Sequence, residues 1–574
     1  MHFLRIPALL AVTVLALSAC NRAEEAAKAA AANPLLAYVP ADTPYLYANI
    51  EATPPEVIDA FILRAGPALA AVRELFDDLD IKISTSDTEE HHEARLVAAL
   101  LTEFDGKLNR EGLESLGLSL ESHVAIYGMG VFPVIRVSLH DADALRGAIA
   151  RVETASGMDF ERHNLGEYEY WKITDGEQQA GVYIAILNDH FAISMFPSSA
   201  ESEWLPAFLG QTLPADSTVA AKQLAQLNRD KGYSNYGSGY IDLQRLAGEF
   251  LDGDSKTAAL LKSLGHHDPA SLDEQCVAEI RGLISHAPRL VGGTTELSAD
   301  TVGISYQVEL EKSLAARLVE LVADVPVAGR GPDKVLTASL GLNIGRVRNF
   351  LIEQATAIGD SPFQCEQLQA INRQAAALLA QLQQPMPPFL GNLKGFRLSL
   401  DELDYENFSP ENISGMFALE VEKPQMLVGT AQMFVPGLEG FELERGADPV
   451  ELPQELMSFA SADLRVYAAM GDDSIGFAVG ASGQAELAAF MDAKSGNDET
   501  FFSLEYDMAA QLEIQNSIAQ RLSGLDTTPD SDAEKFRNLS KNIQDSYKDW
   551  LGRTRLEISF TEDGLQMENT ITFK

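Results

Sequence analysis

Two stretches of this chain, 282 positions apart, read as variants of one another: VIRVSLHDADALRGAIARVETASGMDFER from Val134 and MFALEVEKPQMLVGTAQMFVPGLEGFELE from Met416. Each opens as a strand of alternating apolar residues, passes into helical spacing, and closes on a glycine-containing turn and a Phe-Glu pair. A second pair keeps almost the same spacing, 284: VYIAILNDHFAISMFPSSAESEWLPAFL from Val182 and VYAAMGDDSIGFAVGASGQAELAAFM from Val466. Both predict a hairpin whose turn carries aspartate, followed directly by a helix. The ends agree as well: ELSADTVGISYQVELEK finishes at Lys312 and ISFTEDGLQMENTITFK at Lys574, each a hairpin turning on Ala-Asp or Asp-Gly. The openings DTPYLYANIEATPPEVIDAFI, from Asp42, and DKVLTASLGLNIGRVRNFLIE, from Asp333, match more loosely. One such pair arises by chance among strand-helix segments; four in the same order predict an internal duplication.

Residues 36–328 and 329–574 are therefore expected as two tandem repeated α+β domains, joined through the Gly/Pro-punctuated stretch Ala323–Asp333. A chain of 574 residues exceeds what one core usually supports. Because hairpins interleave with helices, the sheets should be antiparallel or mixed, with helices packed on one face. In YGSGYIDLQRLAGEF the strand runs straight into a helix, with Asp242 as its N-cap. Long helices are expected near 361–384 and 502–550, the latter broken near Thr527–Asp530.

The N-terminus carries a different signal. Arg5 precedes an apolar segment from Ala8 to Leu17, and no acid occurs before Glu24. This is the layout of a secretory signal, too short for a comfortable spanning helix. It closes on Leu17-Ser18-Ala19-Cys20, which resembles the lipobox of bacterial lipoproteins. The resemblance implies cleavage after residue 19 (signal peptide 1–19), lipidation of Cys20, and a lipidated tether over 20–35. Asn21 stands where an aspartate would imply retention in the inner membrane, so the implied location is the outer membrane, facing the periplasm.

The charge balance, 43 Lys+Arg against 84 Asp+Glu for a net of -41, repels a polyanion and excludes nucleic acid as a partner. Beyond Cys20 the cysteines are Cys276 and Cys365, each expected just inside a helix opened by a capping box, Ser271-Leu-Asp-Glu274 and Ser361-Pro-Phe-Gln364. An oxidising periplasm allows them to pair, although two unconnected buried thiols satisfy the sequence too.

VPADTPYLYANI at 39–50, LPADST at 213–218 and FQCEQL at 363–368 resemble segments of an uncharacterised group of bacterial envelope proteins. Its members carry a proline-alanine-aspartate strand opener and mostly a signal peptide. That group has no established activity, so the resemblance implies a place in the envelope and no catalytic residue.

Local candidates for chemistry are few. Glu89-Glu-His-His-Glu93 lacks HExxH spacing and reads as a solvated acidic helix end; Gly265-His-His-Asp-Pro269 reads as a loop. No GxSxG, SxxK, Walker or GxGxxG motif occurs, so no catalytic residue, metal or cofactor is assigned. Gly128-Met-Gly130 suits a close-packed strand end. Tyr168 and Tyr170 share one strand face with Trp171 on the other, and Tyr233, Tyr236 and Tyr240 cluster in and after a glycine-rich loop. Tyr233 and Tyr236 are the candidate rim of a binding site. The expected function is non-catalytic: binding an envelope protein partner or organising the envelope. The alternatives are a carrier of an apolar ligand and a periplasmic hydrolase whose site lies between the domains.

Overall fold

In the computed structural model the described residues are 32–64, 66, 92–107, 109–173, 180–187, 189–216, 218–263, 272–326, 334–387, 389–403, 413–453, 456, 465–480, 483–493, 499–514 and 550–574. Contacts divide them into two compact units. One holds the described residues up to Leu272 together with Pro288–Ser305; the other holds Asp273–Ala287 and the described residues from Tyr306. The fold is mixed α+β, and its strand ladders are antiparallel.

The first unit contains β1 (Tyr45–Ala48), β2 (Val124–Met129), β3 (Phe132–Ser138), β4 (Glu161–Leu165), β5 (Tyr168–Ile173), β6 (Ala180–Ile186), β7 (His190–Pro197), β8 (Ser238–Asp242) and β9 (Arg289–Leu297); β10 (Thr301–Glu309) follows across the Ser298–Asp300 turn. Neighbours pair in the order β4-β5-β6-β7-β3-β2-β1-β8-β9. The second unit contains β11 (Leu336–Gly341), β12 (Leu393–Leu403), β13 (Ile413–Val421), β14 (Val450–Glu451), β15 (Val466–Met470), β16 (Ser474–Val479), β17 (Thr500–Asp507), β18 (Leu551–Thr561) and β19 (Gly564–Phe573). Its order is β14-β15-β16-β13-β12-β11-β17-β18-β19. Matched in chain order, the central runs β6-β7-β3-β2-β1-β8-β9 and β15-β16-β13-β12-β11-β17-β18 are the same ladder.

Strand alternation decides what each face buries. In the first unit Val134, Tyr183, Ala185, Ala192 and Phe196 turn to one face and meet Trp204, Leu205, Phe208 and Leu224 of the helices Glu201–Phe208 and Val219–Lys231. Tyr183 and Phe196 stack with centroids 4.0 Å apart, and Phe208 meets Phe196 edge-on at 6.3 Å. Burying each such ring is worth about 1.5–3 kcal/mol. The opposite face is also covered at one end: Trp171 and Ile186 pack with Val152 of the helix Ala142–Ser156 and Ala99 of the helix His92–Phe104. The expectation of helices on one face therefore fails for this unit, because β5 and β6 carry large apolar residues on both sides.

The chain enters the first core earlier than its composition suggests. Asn33 is buried, accepts from the Leu35 N–H at 3.0 Å and donates to the Asn49 carbonyl at 2.6 Å. Leu35 and Leu36 are fully buried, so the last tether residues already belong to the folded body. Gly130, at φ 58°, closes the β2-β3 turn, where a Cβ would lie 2.3 Å from the Thr257 hydroxyl. Thr43 in the PADT segment clasps Gly128, accepting from its N–H at 3.0 Å and donating to its carbonyl at 2.9 Å.

Asp242 caps the helix Leu243–Leu251, accepting from the Arg245 N–H at 2.9 Å, as its spacing predicts. Two other expectations fail. Residues 500–507 form β17 rather than helix, held centrally between β11 and β18. The stretch 361–384 is also not one helix: Ile344–Asp360 ends at Ser361, and Gln369–Leu382 begins after a short turn.

That boundary surrounds the cysteine pair. Cys276 and Cys365 lie at disulfide distance, with 4.6 Å between their Cα atoms. Cys276 sits in the first turn of the helix Glu274–Ser285, whose cap is Asp273, accepting from the Cys276 N–H at 2.7 Å. Ser361 opens no helix. The Gln364 and Cys365 N–H groups are satisfied from another segment, by Glu279, at 3.0 and 2.9 Å. These two backbone hydrogen bonds hold the Glu279 carboxyl below its usual value. The two cysteines are 89 positions apart in sequence. Replacing both cysteines by serine is expected to lower the stability of the second unit by about 4–5 kcal/mol, read from urea unfolding of the oxidised chain against the variant.

Candidate functional site

The feature that asks for an explanation in each unit is an arginine side chain with almost no exposed surface: Arg136 at 0% and Arg397 at 1%. Burying an unpaired cation is strongly unfavourable, so its surroundings must supply partners. Arg136 lies on β3, where alternation sets it on the core face beside Val134. Its Nε donates to the Tyr127 hydroxyl at 3.0 Å, Nη1 to His190 Nε2 at 2.7 Å, and Nη2 to the Phe208 carbonyl at 2.6 Å. The guanidinium also lies 4.0 Å from the centre of the Tyr38 ring. Phe208 is the last residue of the helix Glu201–Phe208, so its carbonyl has no partner within that helix. A cation there also complements the helix dipole. At the other end of the same helix, Glu201 accepts from Tyr183 at 2.7 Å and Lys172 at 2.6 Å. Burial opposes its ionisation, but those two partners win and keep its carboxyl below the usual value. Burial pushes the Tyr183 hydroxyl well above its usual range.

In the second unit Arg397 comes from β12. Its Nη1 donates to the Phe490 carbonyl at 2.6 Å, within the last turn of the helix Gly483–Met491, and its Nε to Glu420 at 2.7 Å. Burial pushes the Glu420 carboxyl up, against the pull of Arg397. Arg136 stands opposite Ala125 of β2, and Arg397 opposite Ala418 of β13. In the aligned repeats Arg136 falls on Ala418, and Phe208 falls on Phe490. Each unit thus brings a guanidinium to the same point of its ladder from opposite members of one cross-strand pair.

Because arginine only donates, His190 Nε2 is assigned as the acceptor; Nδ1 then carries the proton and donates to Asp189 at 2.6 Å. Burial, reinforced by Arg136, holds the His190 imidazole below its usual value. Asp189 is open to solvent while His190 is fully enclosed. The arrangement can neutralise and orient a buried cation; it offers no reactive group to a substrate. Sequence reading passed over both arginines, although a lone charge at an inward position of an apolar strand, as in VIRVSL, is the signal that marks one.

The rim candidates part company. Tyr233 is 7% exposed and belongs to the core of the first unit, its ring where a Cβ on Gly293 would fall. It is not on a rim, because the glycines of β9 leave a recess that the ring fills. Tyr236 is half-buried nearby. Tyr240 is buried and donates to Gln223 at 2.9 Å. Tyr170 and Trp171 enter separate core clusters on the two faces of β5. Cys20, Glu89–His91, the Gly265–Pro269 loop and Thr527–Asp530 lie outside the described residues. Among the described residues no group of three His, Cys, Asp or Glu could hold a metal ion, and no helix is long and apolar enough to cross a membrane.

No family model matches the chain, no curated protein matches it, and no solved structure matches it.

Two outcomes follow for the Arg136 cluster. Arg136→Met leaves His190, Tyr127 and the Phe208 carbonyl without their donor, and is expected to cost about 1–3 kcal/mol, measured by chemical denaturation. Below the ordinary imidazole value of 6.5, unfolded His190 takes up a proton that the folded residue refuses. The stability it contributes is therefore present above about pH 6.5 and is lost as pH falls. The urea midpoint should drop further between pH 7.5 and pH 5.5 in the wild type than in His190→Gln; equal drops would refute this role.

Proposed function

We propose that the protein is a lipid-anchored lipoprotein of the outer membrane, facing the periplasm, built from two tandem repeated domains, with a non-catalytic role in binding a partner or organising the envelope. The observation that carries the anchor is Leu17-Ser18-Ala19-Cys20 at the end of a short apolar segment. A cysteine placed there receives acyl chains, and more than one chain gives stable attachment. The shared ladder order and the paired Arg-to-carbonyl caps at Phe208 and Phe490 support the duplication. The non-catalytic role rests on how the buried charges are used. Arg136, His190, Arg397 and Glu420 are engaged with helix ends and with one another, and none is open to a substrate.

Mass spectrometry of the native chain after detergent extraction tests the anchor. A mature N-terminus at Cys20 bearing acyl chains is expected, and Cys20→Ser should move the protein to the aqueous fraction. An unacylated chain with residues 1–19 retained would overturn the reading. In the acylated protein, a stoichiometric co-purifying partner supports the binding role, whereas turnover of a periplasmic substrate by the pure chain would overturn it.

A further inference from the structure

Equivalent helices in the two halves present opposite surfaces. The helix Ala142–Ser156 carries Asp143, Arg146, Arg151 and Glu153; in the aligned repeat these positions are Gln425, Val428, Met433 and Val435. From Pro424 to Leu438, fifteen residues in a chain of net charge -41, no side chain is charged. The clearest contrast is at Val152, 5% exposed beneath Ala99, Phe160 and Trp171, whose counterpart Phe434 is 78% exposed. Beside it Met433 is 73% and Val435 40% exposed. Large apolar side chains grouped at a helix end, with no charge for fifteen residues, are the surface of something that is covered in use.

We propose that Met433, Phe434 and Val435 form a membrane-contact tip that inserts into the interfacial region of a lipid bilayer. This rests on the lipid-anchored reading for its setting. Twelve residues separate Cys20 from the buried Asn33, a reach of roughly 45 Å at full extension. An acylated body is therefore never far from a bilayer, and a tip of modest affinity of its own acts at high effective concentration. The absence of Lys and Arg between Lys423 and Arg445, with Glu439, Glu442 and Glu444 following the tip, fits neutral headgroups and opposes anionic ones.

The test uses the full mature chain with Cys20→Ser, so that no acyl chain contributes. It is sedimented with phosphatidylcholine vesicles, and then with vesicles in which a third of the lipid is phosphatidylglycerol. The tip predicts binding to the neutral vesicles, weaker binding to the anionic ones at low salt, and an at least roughly tenfold loss in Met433→Ser/Phe434→Ser. All three residues are exposed, so the variant should keep the circular dichroism and unfolding midpoint of the parent. No binding by the parent, or equal binding by the variant, overturns the proposal. So does self-association by sedimentation velocity that the variant abolishes without any vesicle binding, which would make the tip a contact between copies. Acylation of the native chain is scored separately, so failure of the anchor and failure of the tip give different results.

Discussion

A guanidinium held beneath a β-sheet and bonded to the end of a helix is the interaction around which each half of this protein is arranged. Placing a permanent cation out of water is expensive, and the position survives only if several acceptors converge on it. Arg136 collects a phenol, an imidazole and a carbonyl from three different elements, so β2, β7 and the helix Glu201–Phe208 are fixed relative to β3 at once. The aromatic cluster of Tyr183, Phe196 and Phe208 continues from the same helix end. Charge and packing therefore specify one geometry together.

The two halves solve this problem differently. Arg397 is neutralised directly by Glu420, itself 5% exposed. Arg136 has only neutral hydrogen-bond partners, and the nearest negative charge in its chain of bonds is Asp189, reached through His190. The first arrangement balances charge inside the core; the second moves the balance to a solvated carboxylate through an imidazole with its proton on Nδ1. In one unit the arginine stands on β3 opposite Ala125, and in the other on β12 opposite Ala418. The two members of a cross-strand pair point to the same face, so either can reach the helix end.

Much of the architecture could be read in the residues. Alternation with Asp- or Gly-bearing turns marked the hairpins at 182–197, 296–309, 466–479 and 558–573, and the Asp242 cap was visible because strand and cap adjoin in sequence. The errors have physical sources. The start of the expected 502–550 helix lies in the strand Thr500–Asp507, because two flanking strands make it a rung of the sheet. Ser361-Pro362 looked like a capping box, but Ser361 ends one helix and the N–H groups beyond it are taken by Glu279, 85 positions away. Tyr233 resembled a binding rim because a glycine-rich loop looks open, until Gly293 of another strand provides the recess for its ring.

Much of the local order was legible in the chain alone: most of the strand and helix succession, the hairpin turns, the likeness between its paired stretches, the signal-like start and the cysteine at its end. These depend on neighbours a few residues apart, through side-chain period and capping chemistry. Tertiary structure decided what the buried charges are for, which aromatic rings are core, and which apolar helix face is left open. Each depends on groups far apart in sequence: Arg136 with Phe208, Arg397 with Phe490, Val152 with Trp171. No pattern along the chain encodes such a meeting, because it exists only once the strands have paired.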